Sequence, residues 1–412
     1  MRHFLFFAAI VLASLSLLAG GFQLYSESAT DVLSVGGAGV ARGGKASASW
    51  YNPATTVDIQ RPIITGGGSL LRLAIDYKTS VRTDEMDNQP RMTGFIYGVM
   101  PIADDFRLNL AVSVPNGMIT QWKSDSQLNT LATFTSLRVC HITPSLTWKA
   151  TDKLSFAAGP TVAIGVARLA NYIDLKPYGL GMNKNYMSAY DFGLGGFAAT
   201  YYKLNDEWAF GAKYQSRVRM TFKGDNEFRY SSYMDGALKF NGGRLEGRID
   251  MPAYVALGVR NNSFERWTFL FDAVWTEWSS YANLNLKFRR YPGRNTPGTA
   301  INMRKWHDVW AYHFGAEYKL TDRWTLRAGY CYDVSPSNSR NQSPEMPDAD
   351  KHLFTIGFEY DADNWGFDLG YGYTYFYKSR LGTNVAKSHG IEERGRFSAD
   401  CHILSASLTL KF

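Results

Sequence analysis

The sequence predicts an all-β fold: a closed transmembrane antiparallel β-barrel of about 14 strands with an N-terminal hatch plugging the lumen. Three observations carry this. Short segments alternate large apolar and small or polar residues with period two, aromatic residues gather at the ends of those segments, and a glycine-rich stretch without clean alternation precedes them.

The elements follow in chain order. Arg2 and His3, an apolar run from Phe4 to Leu18 and the small residues Ala19, Gly20 and Gly21 read as a secretory signal peptide over residues 1–20. The run is shorter than the roughly 20 apolar residues a membrane-spanning helix needs. Residues 21–62 hold Gly36, Gly37, Gly39, Gly43 and Gly44 and the turn Tyr51-Asn52-Pro53-Ala54. Glycine permits tight turns and close backbone approach, which suits a plug folded in a confined lumen. An irregular periplasmic arm is the alternative. Asn52, Pro53 and Ala54 are expected to anchor the plug to the wall.

Residues 63–412 carry the strand signal. Leu108 to Val114 reads as a strand interrupted by Pro115-Asn116-Gly117, and proline cannot donate to a sheet ladder, so a kink or opening is expected there, or else a strand-to-loop boundary. Tyr312, Phe314, Ala316 and Tyr318 alternate with His313, Gly315 and Glu317, and the pattern recurs around Trp324–Tyr330, Phe354–Tyr360 and Phe367–Tyr375. The final segment sets His402, Leu404, Ala406, Leu408, Leu410 and Phe412 against Ile403, Ser405, Ser407, Thr409 and Lys411. One face suits lipid and the other a polar lumen. Trp275 with Trp278, and Trp306 with Trp310, read as interfacial girdles. A barrel must close, because an open edge would leave backbone groups unpaired in hydrocarbon. Roughly 350 residues at about 25 per strand and connection give around 14 strands, with 12 or 16 also compatible.

Composition excludes several classes. After the signal no stretch of 18 uncharged apolar residues occurs and the mean hydropathy is −0.25, so helical membrane proteins are ruled out. The net charge of +7 is scattered rather than striped, which argues against nucleic acid and for anionic lipid headgroups or an acidic ligand. Cys140, Cys331 and Cys401 are an odd count, so at least one lies outside any internal disulfide, and their spacing suggests no metal site. No cofactor is implied. No nucleophile elbow is present, so His313 and the luminal serines are read as satisfied lumen residues and the chain as a non-enzyme. A general diffusion porin would need an open lumen, and an adhesin would need no hatch.

Specific residues then point to a family. Gly21-Phe22-Gln23-Leu24, Gly36-Gly37-Ala38-Gly39-Val40-Ala41 and Tyr51-Asn52-Pro53-Ala54 resemble the N-terminal hatch of the FadL/TodX family of outer-membrane hydrophobic-compound transporters. The likeness continues through Ile142–Leu146, Leu154–Gly159, Pro252-Ala253-Tyr254, Trp275–Ser279, Tyr312–Tyr318, Arg327–Tyr330 and Ser335-Pro336. The collinear succession carries it; each piece alone is weak. The resemblance implies a fourteen-stranded barrel in the bacterial outer membrane that takes long-chain fatty acids, or aromatic hydrocarbons by the same fold. Ligand would be captured by extracellular loops, passed to a deeper pocket by hatch rearrangement, and released through a gap at a kinked third strand, here Pro115, Asn116 and Gly117.

The resemblance also implies cations for a carboxylate. The strand arginine of the family matches Arg168, with pairing to a nearby carboxylate as its alternative role. The family's lysine aligns with His307, where this sequence departs from the pattern, and Lys305 lies two residues away. The expected partners are the hydrophobic ligand, outer-membrane lipid and lipopolysaccharide, and the barrel-assembly machinery through the C-terminal Phe412. No nucleic acid is expected, and a monomer is.

Overall fold

A computed structural model of the chain describes residues 22–174, 181–229, 243–289 and 297–412. The signal peptide over residues 1–20, and Gly21, lie outside the described residues. Fourteen strands form one antiparallel sheet: β1 (Ile63–Lys78), β2 (Arg91–Ala103), β3 (Phe106–Gln121), β4 (Phe134–Lys149), β5 (Leu154–Asp174) and β6 (Met182–Lys203) come first. Four strands interrupted at mid-height follow: β7 (Trp208–Gln215, Thr221–Arg229), β8 (Gly243–Arg248, Tyr254–Phe264), β9 (Trp267–Thr276, Asn283–Phe288) and β10 (Gly298–Met303, Val309–Lys319). The last are β11 (Trp324–Asp333), β12 (Lys351–Asp361), β13 (Trp365–Phe376) and β14 (Arg396–Lys411). Closure is made by β1 and β14, paired antiparallel from Ile63 opposite Lys411 to Lys78 opposite Arg396. No helix among the described residues is long and apolar enough to cross a membrane.

Side-chain alternation follows from that closure. On β14, Leu404, Leu408 and Leu410 are exposed while Ile403, Ser405 and Ser407 are buried; on β13, Tyr371 and Tyr375 face out and Asp368 and Thr374 face in. Tight turns such as Asp104–Asp105 and Glu265–Arg266 join strands at one end, and longer connections such as residues 79–90 and 334–350 cross the other. Short turns mark the periplasmic end and longer loops the extracellular end.

The tryptophans divide. Trp310, Trp324 and Trp365 are exposed on the outer wall, as a girdle requires. Trp278 and Trp306 correct the girdle expectation: both are buried and turn inward, their rings 5.1 Å apart. They sit where β9 and β10 break, so local period-two reasoning does not reach them.

Residues 22–59 lie inside the wall, nearly all buried. They form α1 (Thr30–Leu33), α2 (Ala48–Tyr51) and the 3-10 turns Ser26–Ser28 and Pro53–Asp58. Gly36 turns against the wall at φ +67°, and a β-carbon on it would lie 2.5 Å from the Tyr330 backbone nitrogen. A β-carbon on Gly329 would lie 2.1 Å from the Gly36 nitrogen, so both surfaces are stripped to backbone where they touch.

Charge fixes the same side of this segment. Arg42 pairs with Asp31 at 2.5 Å and with Glu317 of β10 at 2.7 Å. Arg327 of β11 meets Glu317 at 2.8 Å, Asp368 at 2.5 Å and also Glu359, which in turn holds Lys45. Such buried charges persist only when mutually paired, because desolvation of each ion is costly.

Candidate functional site: the lumen above the hatch

The inner face of the wall has two zones. Its periplasmic half is polar and meets the plug: Asn109, Thr147, Ser155, Asp272, Arg327, Glu359 and Ser405 are buried there. Its extracellular half is apolar: Leu137, Val139, Ala163, Ala167, Met187, Phe222, Leu245, Leu284 and Leu286 belong to one buried cluster. A water-filled pore would invert that lining.

Two cavities share the apolar zone. A cleft of about 580 Å³ lies among the extracellular strand ends, where Leu131, Leu169, Met187 and Val385 line it together with the polar Asn171, Asn185, Arg304 and Glu345. Beneath it, a small apolar recess is lined by Ala167, Leu169, Met187, Phe222, Leu245 and Leu286, of which Leu169, Met187 and Leu286 also line the cleft. The floor on the β9–β10 side is aromatic. Phe22 packs edge-on to Trp278 at 4.7 Å and Tyr281 at 5.6 Å, and lies 6.1 Å from Trp306.

One buried cation borders the cleft. Arg304 pairs with Glu345, carried by the 334–350 connection, which folds inward so that Trp122 Nε1 donates to the Pro344 carbonyl at 2.9 Å. The Arg304 Nε donor has no partner among the described residues.

The wall itself is interrupted at β3. Between Ser113 and Asn116 the pairing with β4 shifts register, a bulge that carries Val114 and Pro115. The ladder between β2 and β3 ends at Ile96 opposite Val112. It is joined again at the top, where the Asp87 nitrogen donates to the Gln121 carbonyl at 2.9 Å and Met86 bridges Trp122. Between these limits β3 turns to the plug instead: the Leu24 nitrogen donates to the Pro115 carbonyl at 2.7 Å, and the Gly117 nitrogen to the Phe22 carbonyl at 2.8 Å. Two residues of the plug, Phe22 and Leu24, thus satisfy backbone groups that a neighbouring strand would take elsewhere.

Comparison with known proteins fits this architecture. A family model described as "Outer membrane protein transport protein (OMPP1/FadL/TodX)" matches residues 10–412. The chain belongs to this family. It is a bacterial outer-membrane protein of a transport family. Among its relatives is a "Long-chain fatty acid transport protein" of Salmonella typhi, 22% identical over 91% of this chain and 92% of that one. The "47 kDa outer membrane protein" of Pasteurella multocida is 24% identical over 76% and 75%. Among solved structures, the fold is similar to a Pseudomonas aeruginosa FadL homologue, with a TM-score of 0.84, 22% identity and coverage of 96% and 100%. It is also similar to the P. putida toluene transporter TodX, with a TM-score of 0.75, 19% identity and coverage of 94% and 99%.

Within that frame the residues singled out in the sequence fall into two groups. Asn52 sits at the junction of plug and wall: its Nδ2 donates to the Val40 carbonyl at 2.8 Å and to the Thr200 carbonyl of β6 at 3.0 Å, and its Oδ1 caps the Ala54 nitrogen at 3.1 Å. The Pro53 carbonyl accepts from Thr147 of β4 at 2.7 Å, and the Ala54 carbonyl from Ser155 of β5 at 2.8 Å. Pro115, Asn116 and Gly117 form the bulged stretch of β3 that pairs with the plug.

The three expected cations, Arg168, Lys305 and His307, line neither cavity. Arg168 is exposed on the outward register of β5, between the inward Ala167 and Leu169. Lys305 and His307 are likewise exposed, while their neighbours Arg304 and Trp306 are buried. The reason is local backbone: residues 304–308 interrupt β10, Lys305 takes φ 48°, and Asp308 adds a second consecutive exposed residue that shifts the phase of alternation. The interruptions of β7 to β10 lie side by side, as Gln215 opposite Tyr254 and Thr276 opposite Val309 show. Four concerted breaks leave no period from which the inward residues can be read.

Proposed function

We propose that this protein carries hydrophobic small molecules, long-chain fatty acids foremost, across the outer membrane by diffusion through a plugged barrel. The observation that carries the reading is the buried apolar cluster of the extracellular half, with a cleft above it, next to an interrupted wall. Each buried methylene contributes about 0.8 kcal/mol, so such a lining extracts an acyl chain from water without covalent chemistry or an energy source. In this reading residues 21–62 act as the hatch and residues 63–412 as the wall. Loops over the cleft capture the ligand, withdrawal of Phe22 to Leu24 from β3 clears the floor, and the ligand leaves laterally between β2 and β3. The protein works as a monomer in a lipopolysaccharide-bearing membrane, with Phe412 its signal to the barrel-assembly machinery.

The testing experiment is organic extraction and mass spectrometry of what co-purifies with the detergent-solubilised protein, alongside uptake by cells with and without the gene. Fatty acids in the extract and gene-dependent uptake of a radiolabelled fatty acid are expected. Recovery and uptake of aromatic hydrocarbon alone would replace the cargo and keep the route. An empty protein that conducts ions freely would replace both with a diffusion porin.

A further inference from the structure

Six Lys and Arg side chains are buried among the described residues, and five have evident partners. Arg42, Arg304, Arg327 and Lys351 each pair with carboxylates. Arg107 donates to the carbonyls of Ile59, Ala103, Asp104 and Phe106 at the periplasmic mouth. Lys213 is the exception. It is 2% exposed and has no carboxylate partner among the described residues; its Nζ donates to one acceptor, the backbone carbonyl of Trp50.

What surrounds it is aromatic. Nζ lies 4.9 Å from the centre of the Phe197 ring, 5.0 Å from Trp50 and 5.5 Å from Tyr254. Ring faces hold an ammonium in its charged form away from water, but they are weak acceptors for its hydrogens. An ammonium has three donors, and two of these have no oxygen acceptor among the described residues. An unspent polar group lies at the same rings: Tyr25 packs on Trp50 and Tyr254 at 5.5 and 6.3 Å, and its hydroxyl is buried without a partner among the described residues. His141 is buried as well, and its Nε2 has no partner among the described residues. A buried group in such a state is costly unless something else satisfies it. A carboxylate, an acceptor of up to four hydrogen bonds, matches this donor set.

We propose that Lys213 receives the carboxylate of an amphipathic acid that has passed the apolar zone, and that this carboxylate takes the ammonium away from the Trp50 carbonyl. This rests on the transport reading above and names its ligand class. Trp50 belongs to α2 of the plug and Lys213 to β7 of the wall, so the exchange removes one attachment of plug to wall when an acid arrives. A neutral hydrocarbon has no means of making it. The polar pair Thr161 and Gln215, hydrogen-bonded at 3.0 Å, lies beside Lys213 on the same inner wall and gives the headgroup a polar approach.

The test uses the full-length protein in detergent and compares radiolabelled hexadecanoate with hexadecanol, which share a chain and differ in charge. Lys213→Met is expected to weaken hexadecanoate by about tenfold or more, the range of a charge-assisted hydrogen bond, and hexadecanol by less than about twofold; Lys213→Arg restores most of the difference. A second measurement needs no variant: amide hydrogen exchange at Ala48–Asn52 of the wild-type protein rises with hexadecanoate and not with hexadecanol. Equal losses for both ligands in Lys213→Met, or none, with no ligand-specific change in exchange, would overturn the role of Lys213 while leaving transport intact. Wild-type protein that bound hexadecanol and refused hexadecanoate would overturn the acid cargo and this site together.

Discussion

A single residue decides most where it is buried and charged. Arg327 holds three carboxylates, one of which also holds Arg42 and another Lys45 of the plug. Arg327→Met removes the cation and leaves Glu317, Glu359 and Asp368 under-compensated, so a loss of about 3–5 kcal/mol is expected. Denaturant unfolding followed by heat-modifiable gel mobility reads this; an unchanged midpoint would mean that the network does not hold the plug. Asn52→Ala removes two donors and one acceptor at the opposite side of the plug, and about 1–3 kcal/mol should be lost by the same measurement.

Neighbouring residues test the phase of β10. Arg304→Ala frees Glu345 and with it the inward-folded connection, so capture of a fluorescent fatty acid should weaken by roughly tenfold. Lys305→Ala, one position along and exposed, should change it by less than about twofold, as surface substitutions do. The reverse order would place the functional cation on the other face.

Among the elements, β3 has the clearest mechanical role. Its bulge is one residue longer than β4 requires, and a ladder with β2 is missing above Val112. Deleting Pro115 removes the residue that cannot donate and lets the ladder continue. Uptake should then fall by about an order of magnitude while equilibrium binding of ligand persists, because the cleft is untouched and only the exit closes. Uptake at the wild-type rate would show that ligand leaves by another path. The Phe22–Leu24 edge is tied to this stretch by two backbone hydrogen bonds, far fewer than the ion network spends on α1 and its turn. The plug is therefore held by buried ion pairs at β10–β13 and, along Phe22–Leu24, by backbone hydrogen bonds at β3.

For the whole molecule, a barrel of fourteen strands has room for a channel, and residues 22–59 lie buried inside its wall. Removing residues 22–58 should convert a protein of low single-channel conductance into an open pore, while the wall still folds because β1 and β14 close it without help from the plug. Planar-bilayer recording checks this, and equal conductance before and after would mean that the plug does not seal the lumen.

The wall was legible in the sequence because lipid imposes one chemistry on one face, and a strand repeats its face every second residue. That is why Phe354, Ile356, Leu404 and Leu408 could be placed outside without coordinates. The plug was legible for a different reason, since Gly36, and the glycines of the wall it touches, are forced by backbone-to-backbone contact. The lumen was not. Trp278, Trp306, Arg304 and Lys213 owe their roles to breaks in four neighbouring strands and to packing against a segment more than 150 residues away in sequence. Aromatic clustering at strand ends assigned Trp278 and Trp306 to the membrane interface, and the family resemblance pointed to His307 and Lys305 rather than to Arg304. Whether Lys213 is paired could be decided only by the tertiary structure, because a partner's absence is a property of everything that surrounds a side chain, and local sequence contains little of that.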